Sequence, residues 1–293
     1  MTLDTKKEVL PYDFDYEIDM AWCPGCGNFA IRNSIIEALR ELQIPPTELV
    51  LSSGIGQAAK MPQYVNTNYF NGLHGRGLPV AVAIKSANPK LTVIAEGGDG
   101  DMYGEGGNHF IHNIRRNPNI VHIVHNNMVY GLTKGQASPT SQKDFITPVQ
   151  VNGVRNEPFN PLAVALSLGA TFVARAFSGD IKETKEIIKK ALQHNGYALI
   201  DIFHPCVTFN KINTFKWFKE NTYYLEEGYD ASNHAAAMEK ALELDRYALG
   251  VLYQDTSRKS FEEQLHIYEK DATPIIERQR DLQKVNRLLR DEA

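Results

Sequence analysis

Cysteine is scarce in this chain, which has 3 cysteines among 293 residues. So few thiols exclude a dense disulfide framework, and they cannot complete a four-cysteine metal site. Cys23 and Cys26 enclose a Pro-Gly pair in "AWCPGCGNFAI", and the third is Cys206. What the pair holds remains open at this point, with a disulfide, a zinc ion and an iron–sulfur cluster as alternatives.

Long apolar runs and a large charge imbalance are also missing. The apolar segments "NIVHIVHN" and "YALIDIF" are far too short to span a bilayer. The net charge of -4 at pH 7 gives no indication of nucleic acid or a membrane as a partner. The first residues, "MTLDTKKEVLPYDFDYE", lack the apolar core of a signal peptide. We therefore expect a cytoplasmic protein, in which a structural disulfide is disfavoured.

Short apolar runs alternate with segments of helical periodicity, and this alternation indicates the fold. Strands are predicted in "LVLSSGIG" at 49–56 and "LTVIAEGGDGD" at 91–101, each running into a glycine turn, and at 119–127, 171–176 and 197–203. Helices are predicted at 28–43, 104–117, 161–168 and 180–194, after an extended arm at 1–20. The alternation predicts an α/β fold, a parallel sheet with helices on both faces. Ligands of such sheets bind beyond the carboxyl ends of the strands.

The sequence changes character after about Leu225. "HAAAMEKALELDRYALGVLYQD" at 234–255 and "TPIIERQRDLQKVNRLL" at 273–289 each predict a helix. We therefore divide the chain into a domain of residues 1–224 and a helical C-terminal extension of residues 225–293. The extension is expected to pack on the core or on a partner.

The segment at 97–136 carries the chemistry, because two predicted strands end there in polar residues. "GGDGD" ends the first strand and "NN" ends the second, at the spacing of a βαβ unit. Such a unit places both strand ends on one crevice, so Asp99 and Asn127 face the same point. A carboxylate and an amide oxygen suit magnesium. Gly98 and Gly100 let backbone N–H groups approach a diphosphate. The alternative is a pair of surface turns, but each group here follows an apolar strand.

Six segments resemble, in order and spacing, the β subunit of 2-oxoacid:ferredoxin oxidoreductases. They are "WCPGCG", "SSGIG", "GLHGRGLPVAVAIKSANP", "GGDGDMYGEGGNHF", "NNMVYGLTKGQASPT" and "HPCVTFN". The resemblance covers roughly residues 20–220, and its GDG-to-NN part resembles the thiamine diphosphate motif. It implies the thiamine diphosphate-binding fold and an oxidoreductase that works with an α subunit.

The resemblance also implies the reaction. A 2-oxo acid is oxidatively decarboxylated, with thiamine diphosphate as the electron sink, and coenzyme A takes the acyl group. Electrons pass one at a time through an iron–sulfur cluster to ferredoxin. "GLTKGQ" resembles 2-oxoglutarate enzymes more than pyruvate-specific ones, and a pyruvate-type enzyme stays the alternative. The glutamate that activates the cofactor ring comes from the α subunit in this family, so the chain is expected to be inactive alone.

The same resemblance assigns residues to the site. The magnesium ligands are Asp99, Asn127 and the backbone carbonyl of Val129. Lys60, Lys134 and His74 are assigned as catalytic residues, and a lysine ammonium could hold the substrate carboxylate. The cofactor-binding residues implied are Gly56, His74, Gly75, Arg76, Gly98, Asp99, Gly100, Asp101, Asn127, Val129, Gly131 and Leu132.

The iron–sulfur assignment meets one departure from the family. The implied ligands are Cys23, Cys26, Cys206 and a cysteine after "SGIG", where this chain has Gln57. A glutamine amide is a poor iron ligand beside soft thiolates. The cluster could have four irons with one non-thiolate ligand, such as water or His204, or three irons, or a fourth ligand from another chain. The cysteines could instead hold zinc or nothing.

Two rival functions remain. One is a thiamine diphosphate-dependent decarboxylase without electron transfer, of the sulfopyruvate or phosphonopyruvate type. The other is a zinc-stabilised, non-catalytic α/β module that assembles with other chains. Between the three alternatives for the cysteines, iron is preferred, since zinc in a structural site wants four ligands.

Overall fold

The structure is a computed structural model and describes residues 9–291. Its strands are β1 (Leu49–Ser53), β2 (Asn68–Asn71), β3 (Thr92–Gly98), β4 (Ile120–Asn126), β5 (Phe172–Phe177), β6 (Tyr197–Phe203), β7 (Thr222–Tyr224) and β8 (Tyr247–Gln254). Its α-helices are α1 (Asn28–Glu41), α2 (Gly77–Ala87), α3 (Gly107–Arg116), α4 (Pro161–Ser167), α5 (Ile181–Gln193), α6 (Phe215–Asn221), α7 (His234–Leu242) and α8 (Leu282–Asp291). Shorter 3₁₀ turns and one π-helical turn, Gly100–Glu105, connect them.

The eight strands form one sheet in the order β2-β1-β3-β4-β6-β5-β8-β7. All neighbouring strands are parallel except β5 and β8. One face packs on α1 and α5 through a core that includes Ile94, Ile123 and Ile200. The other face packs on α2, α3 and α4 through Val93, Val124, Leu199 and their neighbours. The predicted α/β fold, a parallel sheet covered on both faces, is therefore confirmed.

Burial explains why the central strands carry continuous apolar runs. Every residue of β4 and of β6 is buried, and strands buried on both faces need apolar side chains on both. At roughly 25 cal/mol per Å² of apolar surface removed from water, such strands contribute strongly to stability. Glu96 in β3, His125 in β4 and Asp201 in β6 interrupt the apolar runs of their strands, and all three are fully buried.

The C-terminal prediction is wrong in part. The helix predicted for 234–255 stops at Leu242, and β8 follows as an antiparallel neighbour of β5. The predicted helix at 273–289 is a 3₁₀ turn at Ile275–Glu277 followed by α8. Alanine, leucine and tyrosine fit either structure locally, so pairing with a distant strand decides the outcome. The extension thus contributes a strand to the main sheet, and the boundary at residue 224 stays a prediction.

The N-terminal arm is described only in part. Residues 9–20 contain no helix or strand, and residues 1–8 of the predicted arm lie outside the described residues. No helix within residues 9–291 has the length and apolar character needed to cross a membrane.

The strand register brings four connecting segments to one edge of the sheet. Ser53 is paired with Glu96, Gly98 with His125, and Asn126 with Phe203. Because these strands are parallel, the residues that follow β1, β3, β4 and β6 all emerge at the same edge. The turn containing Cys23 and Cys26, which precedes α1, joins them there.

Candidate active site

A cleft of about 870 Å³, including its open mouth, lies at the carboxyl ends of the parallel strands. This is the position expected for a ligand of a parallel sheet. Its wall brings together residues that are far apart in the sequence: Cys23, Cys26, Cys206, Gly56, His74, Gly98, Asp99, Gly100, Asp101, Asn127, Val129, Gly131 and Leu132. Of the sequence-predicted site residues, only Lys60, Gly75, Arg76 and Lys134 are not part of this wall.

Asp99 directly follows β3 and is buried. Its Oδ2 accepts hydrogen bonds from Ser138 Oγ at 2.5 Å and from Thr140 Oγ1 at 2.6 Å. Burial raises the pKa of Asp99 to about 6, and the two hydroxyl donors limit that rise. A cation in the cleft would favour the ionised carboxylate further. Both hydroxyls hold the same oxygen, so the arrangement suits a carboxylate that offers its other oxygen to the cleft.

The Asn127–Val129 turn supplies the other two predicted magnesium ligands. Asn127 Oδ1 accepts the backbone N–H of Val129 at 3.0 Å. Met128 adopts a left-handed conformation, with φ of 57°, which is uncommon for a residue with a side chain. Asn127 and Val129 both line the cleft with Asp99. Carboxylate, amide and carbonyl oxygens form a donor set that fits magnesium, whose remaining positions go to phosphate and water.

The donor count agrees with such a mixed site. Within residues 9–291, no three histidine, cysteine, aspartate or glutamate side chains form a group that could hold a metal ion. A magnesium ion at Asp99 needs no such group, because it commonly uses one or two carboxylates together with substrate phosphates.

Two glycines leave room for a ligand in the cleft. A Cβ on Gly56, whose φ is 130°, would meet no atom within 4 Å. A Cβ on Gly98 would approach only the His125 carbonyl, at 4.0 Å. At Gly100 the reason for glycine is different, because a Cβ would lie 2.1 Å from the Tyr130 ring. The open space at the first two positions is the part of the wall that fits a diphosphate.

Asp101 ties three loops together at the floor of the cleft. Its Oδ1 accepts the N–H groups of Gly75 at 2.7 Å and of Ile55 at 3.1 Å. His74 Nδ1 lies 2.8 Å from the same oxygen. Gly75 has φ of 72°, and a Cβ there would lie 2.4 Å from the Glu105 backbone. Asp101 therefore fixes the loop that brings His74 to the cleft.

The three cysteines are free thiols that line the cleft. Gly25, with φ of 81°, lets the chain turn so that Cys26 N donates to Cys23 O at 2.9 Å. Burial, together with Cys206 and Cys23 nearby, raises the pKa of the Cys26 thiol to about 11. Three thiols brought to one cleft from two distant parts of the sequence agree with the donor set that the sequence predicts for an iron–sulfur cluster.

Gln57 and His204 differ in their relation to the cysteines. Gln57 lines the same cleft, and its Oε1 is buried without a hydrogen-bond partner. The Gln57 carbonyl accepts the Trp22 indole N–H at 2.7 Å, which fixes the turn. His204 is fully buried behind Gly27, where a Cβ would lie 2.4 Å from the His204 Cβ. His204 is not in the cleft wall, so Gln57 is the better placed of the two toward a cluster.

The predicted lysines and Arg76 lie outside the wall. Lys134 is exposed, with φ of 84°, in a turn closed by the Tyr130 N–H to the Gln136 carbonyl at 2.8 Å. Lys60 is half-buried in the 3₁₀ turn Ala58–Tyr64. Arg76 is exposed, with Nη1 2.6 Å from His109 Nε2. The roles given to them from the sequence stay predictions.

Several wall residues were missed in the sequence, among them Trp22, Ile55, Tyr130 and Phe209. Tyr130 covers Gly100 and donates to the Gly100 carbonyl at 3.2 Å. Burial raises the pKa of Tyr130 to about 12, so the ring stays neutral. The sequence could have indicated Tyr130 as a site residue, because it lies between Asn127 and Gly131, which were both assigned to the site.

None of the described residues that line the cleft is a glutamate. Glu96 is buried beside His125, with its Oε2 3.3 Å from His125 Nε2. Glu105 is exposed at the end of the π-helical turn. The chain's two glutamates nearest in sequence to the GDG motif are thus both absent from the wall.

Comparisons with known proteins agree with this geometry. A family model described as the C-terminal TPP binding domain of thiamine pyrophosphate enzymes matches residues 53–202. A second model, the C-terminal part of the pyruvate ferredoxin oxidoreductase beta subunit, matches residues 206–270. Both models describe thiamine pyrophosphate enzymes or ferredoxin oxidoreductases, and together they span most of the chain.

Whole-chain relatives point the same way. Subunit beta of 2-oxoacid:ferredoxin oxidoreductase 2 from Aeropyrum pernix is 44% identical over 86% of this chain and 86% of its own. A 2-oxoglutarate synthase subunit KorB from Methanocaldococcus jannaschii is 32% identical over 84% of this chain and 91% of its own. A solved 2-oxoglutarate:ferredoxin oxidoreductase from Magnetococcus marinus is 37% identical, with a TM-score of 0.88 over 97% of each chain. The chain therefore belongs to the β subunits of 2-oxoacid:ferredoxin oxidoreductases.

Proposed function

We propose that this β subunit, assembled with an α subunit, binds thiamine diphosphate and magnesium and oxidatively decarboxylates a 2-oxo acid. Coenzyme A takes the acyl group, and electrons leave through an iron–sulfur cluster to ferredoxin. The observation that carries the proposal is the shared cleft, whose wall holds Asp99, Asn127 and Val129 together with all three cysteines. On this proposal the diphosphate would lie next to the group that accepts its electrons.

The chain's own residues have distinct tasks in this proposal. Asp99, Asn127 and the Val129 carbonyl would hold magnesium and, through it, the diphosphate. Gly56 and Gly98 leave the space that the diphosphate takes. Tyr130 and Trp22 contribute aromatic surface to the wall of the cleft. Thiamine diphosphate, when bound, supplies the electron sink for loss of carbon dioxide.

Cys23, Cys26 and Cys206 would ligate the cluster. Burial raises the pKa of the Cys26 thiol to about 11, which favours its neutral form in the absence of metal. Ligation by iron requires the thiolate and therefore releases protons. With Gln57 in the fourth position, one iron would carry a non-thiolate ligand, which predicts a cluster more labile in air.

The proposed substrate is 2-oxoglutarate. The support is the "GLTKGQ" segment and the relatives, since the Magnetococcus marinus enzyme contains 2-oxoglutarate, coenzyme A and succinyl-CoA. The α subunit is proposed because the family is multi-subunit and because no glutamate lines the cleft among the described residues. We place the complex in the cytoplasm, where ferredoxin and coenzyme A are both available.

The test is an anaerobic assay of the purified complex. 2-Oxoglutarate, pyruvate and a branched 2-oxo acid are each supplied with coenzyme A and ferredoxin, and acyl-CoA and reduced ferredoxin are measured. We expect the highest kcat/KM with 2-oxoglutarate. Acyl-CoA and reduced ferredoxin should form at the same time.

The same assay separates the competing function. A non-oxidative decarboxylase is favoured by one observation, the glutamine in place of a fourth cysteine. Release of carbon dioxide and an aldehyde without ferredoxin reduction would establish that alternative. Full 2-oxo acid oxidation by this polypeptide alone would refute the need for an α subunit.

A further inference from the structure

The segment of residues 138–141 does not line the cleft, but it contacts both parts of the proposed cation site, Asp99 and the Asn127–Val129 turn. Ser138 Oγ and Thr140 Oγ1 donate to the same oxygen of Asp99, at 2.5 and 2.6 Å. Ser141 Oγ donates to the Met128 carbonyl at 2.6 Å, inside the turn that carries Asn127 and Val129. One four-residue segment thus contacts the carboxylate ligand and the turn that supplies the other ligands.

The segment is itself buried and internally fixed. Ser138, Thr140 and Ser141 are 7%, 4% and 1% exposed, so their hydroxyls have little access to water. The Ser138 N–H donates to Ser141 Oγ at 2.8 Å, which closes the segment on itself. A hydroxyl in such surroundings keeps its partner, because an unmade buried hydrogen bond is costly.

Thr140 also connects Asp99 to a second buried carboxylate. Thr140 Oγ1 lies 2.9 Å from Asn126 Oδ1, and Asn126 Nδ2 donates to Asp201 Oδ1 at 3.1 Å. Asp201 is fully buried, accepts from Tyr103 Oη at 2.9 Å, and has Arg175 Nε at 3.6 Å. Thr140 Oγ1 therefore lies between the Asp99 carboxylate and the Asn126 amide oxygen.

The single hydroxyl proton of Thr140 decides what it does to Asp99. Two oxygens compete for it, the Asp99 carboxylate and the Asn126 amide, and a hydrogen bond to a charged acceptor is the stronger. With Thr140 and Ser138 both donating to Oδ2, the carboxylate cannot rotate freely, and its Oδ1 is left to a cation. A bidentate contact by Asp99 would need these bonds to break.

On this geometry we propose that Ser138 and Thr140 are positioning residues that hold Asp99 as a one-oxygen ligand of the divalent cation. Ser141 fixes the Asn127–Val129 turn relative to it. The inference rests on the proposed function, because the cation is the one that would carry the diphosphate. It assigns no contact between these hydroxyls and the cation, the diphosphate or the substrate.

The test measures cation binding directly in the complex with its α subunit. Mn²⁺ is titrated at a fixed excess of thiamine diphosphate, and free Mn²⁺ is followed by electron paramagnetic resonance. Thr140→Val keeps the shape of the side chain and removes its proton donor. Loss of one charge-assisted hydrogen bond should raise the Mn²⁺ dissociation constant about tenfold, and Thr140→Ser should restore it to within about threefold of the wild type.

Thr184→Val is the matched control. Thr184 is 1% exposed and donates to the Phe177 carbonyl at 2.9 Å. Thr184→Val therefore loses a buried hydrogen bond that does not involve Asp99. We expect its Mn²⁺ affinity to equal that of the wild type, even if its melting temperature falls. Ser138→Ala, measured in the same way, replaces Thr140→Val if that variant does not yield a folded complex.

The outcomes separate the two proposals. Tight Mn²⁺ binding by the wild type with unchanged binding by Thr140→Val or Ser138→Ala overturns the positioning role and leaves the proposed function intact. The same weakening in Thr184→Val as in Thr140→Val also overturns it, since general destabilisation would then explain both. A wild-type complex that takes up no Mn²⁺ with thiamine diphosphate overturns both the inference and the proposed function.

Discussion

Asp101 Oδ1 accepts the backbone N–H of Gly75 at 2.7 Å and thereby fastens the loop that carries His74 to the end of β3. The same oxygen accepts the Ile55 N–H at 3.1 Å. Glycine is required at positions 54 and 97 for this reason, because a Cβ at either would lie within 2.5 Å of the Asp101 carboxylate. One carboxylate thus organises three of the segments that meet at the cleft.

Replacing Asp101 should therefore loosen the cleft. Asp101→Ala leaves two backbone N–H groups without an acceptor, and we expect the unfolding free energy to fall by about 2 kcal/mol or more. Asp101→Asn keeps an acceptor oxygen and should lose less. Denaturant unfolding measures the loss, and hydrogen exchange at Ile55 and Gly75 localises it. Equal stability of the alanine variant and the wild type would rule out this role.

Lys134 is one of the two lysines that the sequence predicts near the substrate, and it is exposed. If it holds the distal carboxylate of 2-oxoglutarate, Lys134→Ala loses a charge-assisted bond of roughly 1.5–3 kcal/mol. We expect kcat/KM for 2-oxoglutarate to fall by about tenfold or more, with thiamine diphosphate binding unchanged. Lys216→Ala, at another exposed lysine, is the matched control. An equal loss for a short apolar 2-oxo acid would contradict binding of the distal carboxylate.

Gln57 should determine how long the proposed cluster survives in air. Gln57→Cys adds a thiolate in the wall that already contains the three cysteines, and soft thiolates are the preferred iron ligands. We expect about three to four irons per chain in the anaerobic wild-type complex and slower loss of iron in air from the variant. Iron and sulfide analysis with electron paramagnetic resonance provides the measurement. Stoichiometric zinc, or no metal in an active complex, would contradict the cluster.

His194 should make the chain less stable in mild acid. Burial lowers its pKa from 6.5 to about 4, and Nε2 lies 2.9 Å from Thr171 Oγ1. As the pH falls, the unfolded chain binds a proton at His194 before the folded chain does. The stability that depends on a neutral His194 is therefore fully present above pH 6.5 and is lost as the pH falls from 6.5 to 4.

The variant His194→Gln isolates that contribution. Between pH 6.5 and 5, the wild type should lose on the order of 1 kcal/mol more stability than the variant. Denaturant unfolding at several pH values measures the difference. Parallel stability curves for the two proteins would show that His194 does not titrate as described.

The central sheet could be predicted because its determinants are local. Apolar runs that end in glycine or asparagine identify β3 and β4 without knowledge of their partners, and the βαβ spacing brings Asp99 and Asn127 to one edge. The observed cleft brings those two residues together as expected.

Long-range contacts account for what could not be predicted. The segment Tyr247–Gln254 becomes a strand because it pairs with β5, more than seventy residues earlier in the sequence. In the sequence, Ser138 and Thr140 are indistinguishable from ordinary turn residues. Only the fold brings their hydroxyls within hydrogen-bond distance of Asp99. His204 is two residues from Cys206 in the sequence, yet it is buried against Gly27 and His125 and does not line the cleft.

The most direct test of the account is the affinity of the complex for thiamine diphosphate with magnesium, measured by calorimetry for the wild type and for Asp99→Ala. Asp245→Ala, at an exposed aspartate, controls for loss of charge alone. We predict that the Asp99 variant binds at least tenfold more weakly, a loss of about 1.4 kcal/mol or more, while the control binds as the wild type does. Unchanged binding by Asp99→Ala would contradict the assignment of the cleft as the cofactor site.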